Sequence, residues 1–174
     1  KDYYINRYHQ NCQKVLEDNS WIAKDLQKIL DDSRNYQIDK NFEAWVNLHN
    51  PFYEVINFMK ELSKRKIKTG IITTKGEKFA EKILNQLNIF PEFVFGYESG
   101  TKIKIAEKLS KSYEIIGFLE DRKKTLIEFK RHSETSQIPC FLADWGYLKD
   151  SDRNNLSNEI KLIKLANIEE LVAI

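Results

Sequence analysis

Glu120 and Asp121 stand side by side directly after the apolar run Ile115-Ile116-Gly117-Phe118-Leu119. Adjacent like charges repel unless a cation or a hydrogen-bond network holds them. Paired carboxylate oxygens suit Mg2+, which binds through one or two carboxylates plus substrate phosphate and keeps several waters. The competing account of the pair is a salt bridge to Arg122 or to a neighbouring lysine. A second candidate is Thr73-Thr74-Lys75-Gly76, which follows the apolar stretch Gly70-Ile71-Ile72. A hydroxyl at a strand end, with a glycine-containing turn into a helix N-terminus, offers a phosphate an O–H donor, backbone N–H groups and a favourable dipole. The same composition also serves a plain turn and helix cap. The third is Lys102, with Lys104 close behind, at the start of a predicted helix. A cation there opposes the helix dipole, which raises a functional reason above chance, although a solvated surface lysine is the default account of such a residue.

The elements that must position these groups follow from the pattern. Of 174 residues, 41% are hydrophobic and 31% charged, enough apolar surface for a buried core and unlike a disordered chain. The formal net charge is +2 with both signs scattered, so neither nucleic acid nor an anionic membrane is expected as a partner. No apolar run is long enough to span a bilayer, and the start of the chain is unlike a signal peptide. Cys12 and Cys140 are isolated, and His9, His49 and His132 have no metal-ligand spacing, so a reducing cytoplasm and no structural zinc are expected.

Helical spacing runs through Tyr4, Ile5, Tyr8, Cys12, Val15 and Leu16, then through Trp21 to Leu30 behind the cap candidate Ser20, then through Ser33 to Leu48. From Pro51 the texture changes. A helix over Phe52 to Lys64 precedes the β-branched run Lys68 to Thr74, which reads as a buried strand. Helices over Glu77 to Leu87, Ile103 to Leu109 and Lys123 to Arg131 alternate with strands Phe93 to Phe95, Ile115 to Leu119, Cys140 to Ala143 and Lys161 to Leu165, before a short terminal helix, Ile168 to Val172. Such alternation predicts an α/β fold with a mostly parallel sheet and helices on both faces, where ligands bind at the carboxyl ends of the strands. A helical region over residues 1–50 and an α/β core over 51–174 is the expected division.

Taken in order, these features resemble the haloacid dehalogenase-like hydrolases, especially their phosphoglycolate phosphatase-like branch. Gly70-Ile71-Ile72-Thr73-Thr74-Lys75 looks like that family's second motif, Lys102 after Gly100-Thr101 like the third, and Gly117-Phe118-Leu119-Glu120-Asp121 like the fourth. Ala143-Asp144-Trp145-Gly146-Tyr147 resembles the loop after the next strand. The resemblance implies a Rossmann-like core with an α-helical cap, the latter before Pro51. It implies catalytic roles for Thr73 and Lys102, phosphate binding by Thr73, Thr74 and Lys102, and Mg2+ held by Asp121 and Glu120. A small phosphorylated substrate follows from it. The sequence departs from the family in having Thr125 where many members carry a further aspartate.

A second departure concerns the family's first motif, D-x-D at the end of an apolar strand, which supplies the nucleophile. Asp150-Ser151-Asp152 has that spacing but follows the wrong strand and is rejected. The family's first strand lies between the strands matched here by Ile71-Ile72 and Ile115 to Leu119, so its loss leaves two half-sheets. The expectation is that the motif lies upstream of Lys1, or that another element fills the gap. The leading reading is a phosphohydrolase in its complete form; the alternative is a catalytically inactive phosphate-binding or interaction protein of the same fold. Under the first, Asp121→Asn or Lys102→Ala is expected to remove activity in the complete protein and leave the fold intact.

Overall fold

The computed structural model describes residues 8–172, so Tyr4 and Ile5 of the first expected helix lie outside the described residues. The chain divides into two compact units, Lys1–Asn50 and Pro51–Ile174. The first is helical: α1 (Tyr8–Asp18), α2 (Ala23–Lys40) and α3 (Phe42–Val46). The helix beginning near Trp21 runs on to Lys40, through the break expected near Ser33. Nothing in Leu30-Asp31-Asp32-Ser33 stops a helix, and Asp31 there pairs with Arg34 at 2.8 Å. Ser20 takes a left-handed φ of 53° and Ile22 occupies the N-cap position without a side-chain cap. Asn41 ends α2 and caps α3, its side chain accepting from the Ala44 N–H at 2.9 Å.

The second unit begins with α4 (Tyr53–Lys64), followed by β1 (Gly70–Ile72), α5 (Glu77–Gln86) and β2 (Phe93–Phe95). A short 3-10 turn (Tyr97–Ser99), α6 (Lys102–Ser110), β3 (Phe118–Glu120), α7 (Lys123–Arg131) and β4 (Cys140–Ala143) come next. The chain closes with α8 (Asp150–Asn154), β5 (Ile160–Ile163) and a 3-10 stretch (Leu165–Val172) kinked at Asn167. All strand pairs are parallel, so this is the mixed α/β architecture that the alternation predicts.

The two faces of the β3-β4-β5 sheet carry separate cores, as the two-residue period of a strand requires. Cys140, Leu142 and Ile160 pack with Ala106 of α6 and Leu126 and Phe129 of α7. Phe141 and Ile163 pack on the other face with Ile168 and Leu171, supported by Val55 and Phe58 of α4. Helices therefore cover both faces.

Among the described residues the strands do not form one sheet: β1 pairs with β2, while β3, β4 and β5 form a separate sheet. In a parallel ladder the N–H and C=O of a residue point to one side and those of its neighbour to the other. Thr73 donates to Phe95 O and Thr69 accepts from Glu92, so Gly70 and Ile72 turn their backbone groups away from β2. Phe118 donates to Pro139 O, so Gly117 and Leu119 turn theirs away from β4. All four residues line one apolar groove of about 540 Å3.

The groove corrects two sequence-based expectations. β1 is partly exposed rather than buried, and of the run Ile115 to Leu119 only the last residues pair, with Ile115 to Gly117 outside the ladder. Both stretches border the groove, where burial and backbone pairing on one side are missing.

Phe129 is fully buried and stacks on Phe118 with ring centroids 4.1 Å apart. Phe129→Ala is expected to cost about 3–5 kcal/mol, whereas trimming the exposed Val15 to Ala should change stability by no more than about 0.5 kcal/mol. Urea unfolding of the two variants checks the contrast.

Candidate active site

The carboxyl ends of β1 and β3 are separated by the groove, and a pocket of about 380 Å3 is lined from both of them. Thr73 and Thr74 come from the end of β1, Thr101 and Lys102 from the start of α6, and Glu120 and Asp121 from the end of β3. Thr73, Thr74, Lys102, Glu120 and Asp121 thus line one pocket, whereas Lys75, Gly76 and Lys104 do not. Ile103, Arg122, Thr125 and Glu128 complete part of its wall. Of these, Thr125 stands out in the sequence only as a departure from the family pattern. Arg122 and Glu128 reach the wall because α7 starts at Lys123, directly beyond the carboxylate pair.

Glu120 is the most constrained group. Its side chain is only 4% exposed, and Lys102 Nζ donates to Oε2 while the Arg122 backbone N–H donates to Oε1 at 3.1 Å. The cation facing the acidic pair is therefore Lys102, brought from 18 positions upstream, with Arg122 contributing through its backbone. Lys102 can stand at a helix start because this carboxylate offsets its conflict with the helix dipole. Its ammonium has three N–H donors, so pairing with Glu120 leaves donors for a ligand.

This pairing bears on the expectation that Lys102→Ala leaves the fold intact. Removing one partner of a buried ion pair strands the other, at a cost of about 3–5 kcal/mol.

The local chain explains how each group is presented. Gly100 adopts a φ of 108°, which a side chain would strain, and so lets the chain turn into α6. Thr101 then caps that helix, its Oγ1 accepting from the Lys104 N–H at 3.3 Å. Thr73 Oγ1 accepts from the Lys75 N–H at 3.1 Å, closing the turn after β1. Glu98 caps α5, its Oε1 accepting from the Glu77 N–H at 2.9 Å. That carboxylate already serves one of the helix N–H groups that the sequence reading offers to a phosphate; nothing local to Glu77 announces a cap from so far along the chain. Asp121 Oδ2 accepts from the Tyr147 N–H at 3.1 Å, in the loop after β4.

Burial pushes the Glu120 carboxyl above its usual range, and the Lys102 hydrogen bond and charge offset this only in part. The folded protein thus holds the Glu120 proton more tightly than the unfolded chain does. The associated stability is full below pH 4.5 and is lost as pH rises through the raised value. The melting temperature of the protein relative to Glu120→Gln should fall as pH rises from 4.5 towards neutrality; a pH-independent difference would contradict this assignment.

Among the described residues no group of three or more histidine, cysteine, aspartate or glutamate side chains forms a metal cluster. Nor, among the described residues, is any helix long and apolar enough to cross a membrane. No curated protein and no solved structure matches the chain. The haloacid dehalogenase-like hydrolase family model matches residues 3–115, well over half of the sequence and inclusive of the β1 turn and Lys102. With parallel strands alternating with helices and a pocket at the strand ends, the chain belongs to the haloacid dehalogenase-like hydrolases.

Proposed function

We propose that the complete protein is a Mg2+-dependent phosphohydrolase acting on a small phosphorylated substrate, and that its nucleophilic aspartate lies on a segment preceding Lys1. The observation that carries this reading is the convergence of Thr73, Lys102 and Asp121 on one pocket lined from the ends of two separate half-sheets. An extended segment running parallel between β1 and β3 would meet the backbone groups of Gly70 and Ile72 on one side and of Gly117 and Leu119 on the other. It would bury its apolar side chains in the groove. Pairing these backbone groups and burying the apolar side chains of the groove both favour filling it. The carboxyl end of that segment would emerge beside Thr73 and Asp121, where an aspartate could attack a phosphorus atom.

In this reading the Thr73 hydroxyl donates to a phosphoryl oxygen, aided by Thr74. Lys102, anchored by Glu120, neutralises charge on the same oxygens. The attacking carboxylate forms a bond to phosphorus as the substrate oxygen leaves with the bonding pair, and water then releases phosphate from the phosphoaspartyl intermediate. The donor set is consistent with Mg2+, which needs one or two protein carboxylates when phosphate supplies further oxygens. Asp121 is the stronger ligand, because both Glu120 oxygens already accept hydrogen bonds. Bound Mg2+ would screen the phosphoryl charge.

Helices α1 to α3 act as part of the cap that selects the substrate, in the manner of the phosphoglycolate phosphatase-like branch. Cys12 and Cys140 are free, which suits a reducing cytoplasm.

A chain carrying the preceding segment should hydrolyse p-nitrophenyl phosphate with Mg2+, and Asp121→Asn should lower kcat/KM by about 100-fold or more. Unchanged turnover in that variant would overturn the role of Asp121. Retained phosphate binding with no turnover in the longer chain would instead favour an inactive phosphate-binding protein of this fold.

A further inference from the structure

Asp121 lies one residue beyond the last paired residue of β3, so the strand alone does not fix its carboxylate. The loop after β4 does. Tyr147 donates its N–H to Asp121 Oδ2 at 3.1 Å, and Gly146 lies so close that a Cβ there would overlap Asp121 Cβ and press on its carboxylate carbon and Oδ2. The loop is itself anchored from α8. Arg153 donates from Nε to Asp144 Oδ1, from Nη2 to the Asp144 carbonyl at 3.1 Å and from Nη1 to Asp150 Oδ1 at 3.1 Å. Asp144 in turn donates its N–H to Ile163 O at 2.9 Å, which ties the start of the loop to β5. The Arg153 fork thus grips both the side chain and the main chain of the residue that opens this loop, and the loop delivers one N–H to Asp121.

We propose that Arg153 and Gly146 are positioning residues that orient the Asp121 carboxylate for a divalent cation. The inference rests on the assignment of Asp121 as a metal ligand and extends it to residues that touch no ligand. Groups that orient a metal-binding carboxylate typically contribute about 10–100-fold in metal affinity. Lysine cannot replace Arg153, because a single ammonium lacks the planar fork that reaches the side chain and carbonyl of Asp144 together.

The test uses the 174-residue chain with Mn2+ in the presence of inorganic phosphate as the probe, its affinity read from water-proton relaxation and the Tyr147 amide followed by hydrogen exchange. Arg153→Met, Arg153→Lys and Gly146→Ala should each weaken Mn2+ binding about tenfold or more and speed exchange at Tyr147. Lys161→Met, which removes the surface pair with Glu170 at 2.7 Å, should change neither. Should Gly146→Ala fail to fold, the Arg153 variants decide, since that side chain is 33% exposed. Wild-type Mn2+ affinity in the Arg153 variants, with binding abolished by Asp121→Asn, would overturn the positioning role alone. Absence of Mn2+ binding by the unsubstituted chain would overturn the metal assignment, and the positioning role with it.

Discussion

A carboxylate buried at the end of a strand stays charged only if something meets it, and here Lys102 and the Arg122 backbone N–H do so for Glu120. Much of the pocket depends on that pair. It draws the start of α6 to the end of β3, and so joins the segment that follows the β1-β2 sheet to the edge of the β3-β4-β5 sheet. It consumes one carboxylate of the acidic doublet and leaves Asp121 as the group held by a different loop. Burial still pushes the Glu120 carboxyl up, so the pair lies near the balance between desolvation and attraction rather than far on the stabilising side.

The division of the strands into two sheets sets a second constraint. Edge strands usually meet solvent or are covered by charge or bulges, yet β1 and β3 border a groove walled by Phe58, Met59, Leu62, Leu109 and Phe129. An apolar groove with strand edges on two sides has backbone and side-chain demands that a lipid tail or a helix meets poorly and an extended chain meets well. The pocket opens at the carboxyl ends of those same strands, as parallel sheets dictate for ligand sites.

The positions of β2, α7 and β4 were legible in sequence to the residue, because each is a short run of strong periodicity bounded by clear breaks. Less legible were the ends of β1 and β3. Their β-branched and apolar residues announce strands, but a strand is as long as its pairing, and the pairing partner is what the groove lacks. The long α2 shows in the sequence as two helical stretches because apolar periodicity drops near Ser33, but such a drop does not end a helix without a breaker. Thr73, Lys102 and the doublet were visible because each falls at the carboxyl end of a strand or the start of the helix that follows one.

That strands alternate with helices, and that hydroxyl, ammonium and paired carboxylates stand at strand ends, is legible from residues alone, since period and chain order are local properties. Which partner each group takes depends on the folded arrangement. Lys102 meets Glu120, Glu98 caps α5, Tyr147 and Gly146 hold Asp121, and Arg153 grips Asp144. Each of these contacts joins elements far apart in the chain, and distances between such elements are set by packing across the whole core, which no local pattern encodes.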